Sequence, residues 1–362
     1  MVRTLQYLRG IAAMLVVYYH AVLQVRSAFA DAPRPLPLFG RCGVDLFFVI
    51  SGFVMWRSTA YRDMGVGAFY RRRIVRIVPL YWAVTLAACV IALAIPDLLR
   101  STKFELPHAI ASFLFFPWPN PGLAVGGPEK ISPIVIPGWT LNYEMFFYAL
   151  FGLSLLVREA WRPYAIAALI GTFLIAGAML GGANLALHFY GSTLLLEFLA
   201  GVVIAAYLTG PGRSIGHAIP VFLLVVLFPL LFWLDWIGLG GSRALQLGVP
   251  AALIIWCAVT LDQPSARGSP WLEELGDASY SIYLTHVFVI AALRVIAKIA
   301  GVTMHETLSV MIFVLCALAA SAVGGVIIYR RVERPLTDAA GRMLLGRKPR
   351  LRLTAAESTG FP

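Results

Sequence analysis

The chain reads as an all-α polytopic membrane protein, with about ten transmembrane helices filling nearly all of its length and both termini cytoplasmic. Composition is the first observation behind that reading: 60% of residues are hydrophobic and 13% are charged. A soluble domain carries about 25% charged residues, so half that density leaves too little polar surface to face water. The second is a series of apolar runs near the length that a bilayer demands, about 20 residues. The third is the placement of Lys and Arg, which cluster in two places rather than spreading evenly.

The apolar runs lie at about 5–25, 41–57, 77–96, 139–157, 163–181, 185–208, 218–237, 244–261, 279–300 and 307–329. Lipid offers the backbone no hydrogen-bond partners, so runs this long and this uniformly apolar are helices and not barrel strands. Ala109–Phe116 is apolar but too short to cross. It sits in the Pro- and Gly-punctuated stretch 97–138, read as a structured outward loop with an interfacial or re-entrant piece. Residues 1–340 are expected to form one membrane domain. Residues 341–362 form a basic tail, expected to be disordered or to lie on the inner leaflet.

Orientation follows the excess of positive charge on the cytoplasmic side. Arg57, Arg62, Arg71, Arg72, Arg73 and Arg76 precede the third run, and Arg330, Arg331, Arg334, Arg342, Arg347, Lys348, Arg350 and Arg352 follow the last. Topology therefore accounts for most of the net charge of +11, without nucleic acid as a partner. An alternative for the first run is a cleavable signal peptide ending near Ala28-Phe29-Ala30. It would leave the orientation unchanged, and it gives no reason for Tyr18, Tyr19 and His20. The four cysteines are widely spaced in apolar runs, with neither metal-ligand spacing nor a disulfide framework.

Ionisable groups inside apolar runs carry the functional signal, because each costs about 2.5–3.5 kcal/mol to insert unless paired or solvated. Arg9 and His20 are eleven residues apart. That spacing brings them onto one helix face, roughly 16 Å apart along the axis. His20 suits proton transfer or nucleophilic catalysis near neutral pH. Asp45 opens the second run and Glu144 the fourth, so both are expected in the outer half beside His20, as a polar pocket or as a hydrogen-bond network joining helices. Ser279, Tyr283 and His286 form a polar stripe on one face of the ninth run. Arg73 and Arg76 are helical neighbours suited to phosphate oxygens, or to simple inside anchoring.

These pieces together resemble the membrane-bound acyltransferase 3 family. The resemblance rests on Leu5-Gln-Tyr-Leu-Arg9 through His20, Gly43-Val-Asp-Leu-Phe-Phe-Val-Ile-Ser-Gly52, Arg73-x-x-Arg76 with Pro79-Leu-Tyr-Trp82, Trp139-Thr-Leu-x-x-Glu144, Ser281-Ile-Tyr-Leu-x-His286, and Glu333-Arg-Pro335. Each is weak alone, but six in order from residue 5 to residue 335 are specific. The opening resembles most the branch that acetylates bacterial exopolysaccharides.

The resemblance implies transfer of an acyl group, usually acetyl, from cytoplasmic acyl-CoA to a hydroxyl of an exopolysaccharide or lipid-linked glycan, in a bacterial inner membrane. It implies that Arg9, His20, Arg73 and Arg76 are required. Acyl-CoA is then a co-substrate and not a resident cofactor. His20 is expected to act as general base or acyl acceptor, oriented by Asp45 or Glu144. Arg9, Arg73, Arg76, Ser279, Tyr283 and His286 are expected on the CoA path. The rival reading is a glycan-lipid transporter or flippase, which would use polar midplane residues but lacks a visible internal repeat. A scaffold without chemistry is the third.

Overall fold

The computed structural model describes residues 2–346, apart from 30, 61, 63, 96–97, 99–101, 124–130, 209–217, 239 and 263–267. All regular structure among them is helical, and a lone β-bridge pairs Pro119 with Ile131. The helices are α1 (Arg3–Ala28), α2 (Cys42–Thr59), α3 (Val66–Ala94), α4 (Leu106–Phe113), α5 (Trp139–Ser154), α6 (Arg162–Leu180) and α7 (Leu185–Tyr190). The remainder are α8 (Leu195–Leu208), α9 (Ala218–Ile237), α10 (Val249–Thr260), α11 (Pro270–Asp277), α12 (Ser279–Ile299), α13 (Thr307–Ile328) and α14 (Arg334–Leu345).

Among the described residues, seven helical stretches are long and apolar enough to cross a membrane. The expected runs at 139–157, 185–208 and 244–261 form shorter helices instead. The run at 185–208 is broken between α7 and α8, where Gly191 lies against the backbone of Gly177 in α6. In the run at 244–261 a π-helical turn, Ala244–Gly248, precedes α10. Helix α3 begins at Val66, eleven residues before the apolar run that announced it, so Arg71, Arg72, Arg73 and Arg76 are all helical. At the C-terminus α14 continues to Leu345, past the expected start of the tail. Residues 347–362 lie outside the described ones.

Association of helices in lipid relies on close packing and small residues, because leaving lipid gains an apolar side chain little. Helix α1 approaches α11 at Gly10 and Gly276, and approaches α2 at Gly43, which rests on the Ala12 carbonyl. Gly40 has φ +111° and lies against the Leu15 carbonyl, so both its backbone and its lack of a side chain are needed. Buried side chains fall into two clusters, and Phe47 packs against both. The opposite faces carry exposed apolar residues such as Leu86, Val90, Leu93, Val225, Ile312 and Leu315, as expected of helices turned toward lipid.

The segment between α3 and α5 is tied to the bundle. Tyr81 of α3 donates to the Ser112 carbonyl (3.0 Å) and stacks on Phe115 at 4.4 Å. Asn120 donates to Ser132, and the buried ring of His108 bonds the Ser132 carbonyl at 2.8 Å. The chain then re-enters through the 3-10 turn Ile136–Gly138 to start α5 inside the bundle, where the Tyr283 hydroxyl donates to the Pro137 carbonyl (2.8 Å).

Candidate active site

A cavity of about 390 Å³ runs into the bundle among α1, α2, α3, α5 and α12. Arg72, Arg73 and Arg76 from the first turns of α3, Arg9 from α1 and Thr337 from α14 line one end. This is the basic end, where α1 and α3 begin. The other end is lined by Val44, Phe47, Thr140 and Tyr283. Arg9 lines the cavity from the second turn of α1, and it feels the charges of Arg76, Glu144 and Glu333.

Glu144 projects from α5 into this cavity. It accepts a hydrogen bond from Ser51 of α2 (3.1 Å) and a short one from Tyr148, one turn further along its own helix. Arg73 lies over the rings of Phe69 (5.6 Å) and Tyr148 (5.9 Å), so the cation is held by aromatic faces as well as by charge. Its Nε is buried with no hydrogen-bond partner in the protein. Arginines fanned at a pocket mouth suit a polyanion such as a phosphate, and the apolar interior beyond them suits an acyl or alkyl arm. Ser279 and Tyr283 line the same cavity, and the buried Ser279 Oγ also has no protein partner.

His20 and His286 do not line the cavity. They meet each other across α1 and α12, with His286 Nε2 3.1 Å from His20 Nδ1 and the ring centroids 4.8 Å apart. His20 Nδ1 is also 2.9 Å from the Val16 carbonyl, and His286 Nδ1 is 2.7 Å from the Tyr283 carbonyl. Phe47 and Tyr283, with centroids 5.6 Å apart, stand at the inner end of the cavity. Tyr283 precedes His286 by one helical turn, so this aromatic pair is the partition on which the histidines back. His286 is therefore a partner of His20 and does not line the cavity with Ser279 and Tyr283.

Asp45 is not beside His20 either. Gly43 packs at Ala12 and Val16 of α1, so α2 starts midway along α1, and Asp45 lies roughly 10 Å nearer the basic end than His20. Asp45 is fully buried and paired with Arg243, which reaches both of its oxygens at 2.8 and 3.0 Å. Glu197 of α8 is buried alongside, close to both Asp45 and Arg243. The second charged pair on this flank joins Arg41 to the buried Asp235. The outer-half pocket of His20, Asp45 and Glu144 is thus divided into three places. Asp45 is neutralised by Arg243, Glu144 belongs to the arginine cavity, and His20 is partnered by His286.

Some site residues carried a signal that sequence reading left unused. Tyr148 stands four residues after Glu144, a helical neighbour by spacing alone. Ser281 of α12 donates to the buried Glu333 (2.6 Å), so the last two motifs of the family resemblance touch. Arg243 had no local signal, since its partner lies 198 residues away. Among the described residues, no group of three or more His, Cys, Asp or Glu is placed to hold a metal ion.

Known proteins give this geometry a family. The family model Acyl_transf_3, an acyltransferase domain, matches residues 2–330. The exopolysaccharide production protein ExoZ of Rhizobium meliloti is 34% identical over 306 residues, covering 82% of this chain and 89% of that protein. The acyltransferase MdmB of Streptomyces mycarofaciens is 29% identical over 374 residues, covering 92% of this chain and 91% of that protein. No solved structure matches the chain significantly. With the family model covering most of its length, the chain belongs to the acyltransferase 3 family and is a membrane acyltransferase of groups other than aminoacyl.

Proposed function

We propose that the protein moves an acetyl or similar short acyl group from cytoplasmic acyl-CoA to a hydroxyl of an exopolysaccharide or its lipid-linked precursor, within a bacterial inner membrane. The observation that carries the reading is the cavity itself, with arginines at its basic end and an aromatic wall at the other that backs on His20. CoA is an anionic nucleotide on a long, thin arm. Its phosphates would stay with Arg9, Arg72, Arg73 and Arg76, while the arm runs inward past Glu144 and Tyr148. The roughly 16 Å from Arg9 to His20 is of the order of that arm.

At the inner end, Phe47 or Tyr283 must move to let the thioester meet the acceptor. The acceptor oxygen then attacks the thioester carbon as its proton passes to His20. The C–S bond breaks, and the CoA thiolate leaves with that proton. If His20 attacks first, the acyl group rests on the ring before it moves to the acceptor. The similarity to an exopolysaccharide production protein supports a polysaccharide acceptor.

Purified protein given radiolabelled acetyl-CoA and polyprenyl-linked saccharides extracted from membranes tests the proposal. Label should reach the saccharide with wild type and fail to do so with His20→Ala. Label trapped on the protein identifies the acyl-histidine route. Absence of acetyl-CoA consumption by a folded wild type overturns the reading.

A further inference from the structure

We infer that His286 is the positioning residue for His20, doing with a neutral imidazole what a carboxylate does beside many catalytic histidines. The inference rests on the reading of His20 as the base.

The hydrogen bonds fix which nitrogens carry protons. A main-chain carbonyl can only accept. His20 Nδ1 lies 2.9 Å from the Val16 carbonyl, so that nitrogen carries the hydrogen. His286 Nδ1 lies 2.7 Å from the Tyr283 carbonyl, so it too is the protonated one. The lone pair of His286 is then on Nε2, which is the atom 3.1 Å from His20 Nδ1. The His20 Nδ1–H is shared between two acceptors, and the basic lone pair of His20 is on Nε2.

Both tautomers are set by backbone carbonyls within the rings' own helices, so the order of donors survives small movements between helices. When Nε2 takes the proton of the acceptor hydroxyl, Nδ1–H still donates to Val16 and His286, and the new positive charge faces a lone pair. The proton leaves again from Nε2 to the CoA thiolate, and the pair returns to its starting state. A carboxylate at position 286 would be an unneutralised charge in a wholly buried place. An imidazole supplies the acceptor without that cost.

The test uses the whole protein in lipid, with acetyl-CoA and extracted polyprenyl-linked saccharides. His286→Leu removes the acceptor and should lower kcat by ~100-fold, the scale of a mispositioned general base, with KM for acetyl-CoA within about twofold. His286→Gln returns an acceptor and should recover most of the loss. Solid-state 15N spectra of histidine-labelled wild type should show His20 and His286 both protonated at Nδ1, with His20→Gln and His286→Gln used for assignment. Retention of kcat in His286→Leu overturns the inference. So does a folded His286→Gln no better than His286→Leu, or an unprotonated Nδ1 in either ring. If His286→Leu does not fold, the spectra and His286→Gln decide. Undiminished transfer by His20→Gln would instead overturn the base reading, and the Nδ1-protonated pair seen in the spectra would stand without it.

Discussion

Asp45 and Arg243 meet fork to fork, with Arg243 Nε 3.0 Å from one carboxylate oxygen and Nη2 2.8 Å from the other. The same Nη2 also reaches the Arg41 carbonyl, so one guanidinium joins the start of α2 to the turn before α10. Both carboxylate oxygens of Asp45 are thus engaged, and the pair lies apart from the histidines.

Its two halves should not be equivalent. Glu197 is buried beside the pair, so losing Asp45 leaves a second carboxyl group to face Arg243. Losing Arg243 leaves two buried carboxylates facing each other. Arg243→Met is expected to destabilise by about 3–5 kcal/mol, as for a broken buried pair. Asp45→Asn should cost about 1–3 kcal/mol. Unfolding of the detergent-solubilised variants measures both, and equal losses would refute the asymmetry.

The arginine end of the cavity should govern donor affinity. Arg73 is held over two aromatic rings, and a lysine there would lose both the planar stacking and the fork. Arg73→Lys and Arg76→Ala are each expected to raise KM for acetyl-CoA by ~10-fold or more, the worth of a charge-assisted hydrogen bond. The acyl-transfer step at saturation should change little. Titration of acetyl-CoA in steady-state assays separates the two effects, and a fall in kcat alone would move these arginines off the CoA path.

Local periodicity made part of this site legible and distance in sequence hid the rest. Arg9 is marked by its helical spacing from His20, and Arg73 and Arg76 by the Arg-x-x-Arg motif of the family resemblance, and all three line one cavity with Arg72. Sequence alone puts Asp45 near the outer surface, at the start of α2. Gly40 and Gly43 instead seat its start against Leu15 and Ala12, halfway along α1. His20 and His286 are 266 residues apart and Asp45 and Arg243 are 198 apart. Such pairs are chosen by how helices pack, and no motif spacing reports it. Composition found the long helices, whereas the break at Gly191 depended on a contact with Gly177 that hydropathy does not register.

The crossing of α2 and α8 depends on two missing side chains. A Cβ at Gly52 would lie 1.9 Å from the Phe198 carbonyl oxygen, and one at Gly201 would lie 2.0 Å from the Val49 carbonyl oxygen. Both obstacles are backbone, so neither can swing aside. Gly52→Val should destabilise by at least about 1–3 kcal/mol through overpacking. It should also disturb Ser51, and with it the hydrogen bond to Glu144. Gly67→Ala is the control, because nothing lies within 4 Å of its Cβ position. Equal thermal stability for both variants would show that the helices can part at no cost.

The segment between α3 and α5 should loosen in acid. His108 is buried, and burial holds its pKa below the usual imidazole value. Nε2 donates to the Ser132 carbonyl, and Nδ1 has no protein partner. Protonation would put a hydrogen on Nδ1 with nothing to receive it. The unfolded segment binds that proton more readily than the folded one. The stabilisation is therefore complete above the unfolded value, about pH 6.5, and is lost as pH falls through the lower folded value. Hydrogen exchange across 104–116, taken relative to the intrinsic amide rate at each pH, should accelerate below about pH 6 in wild type. In His108→Gln, whose side-chain amide can still donate to Ser132 but does not titrate, the acceleration should disappear. An exchange rate in wild type with the same pH dependence as His108→Gln would show that this histidine does not hold the segment closed.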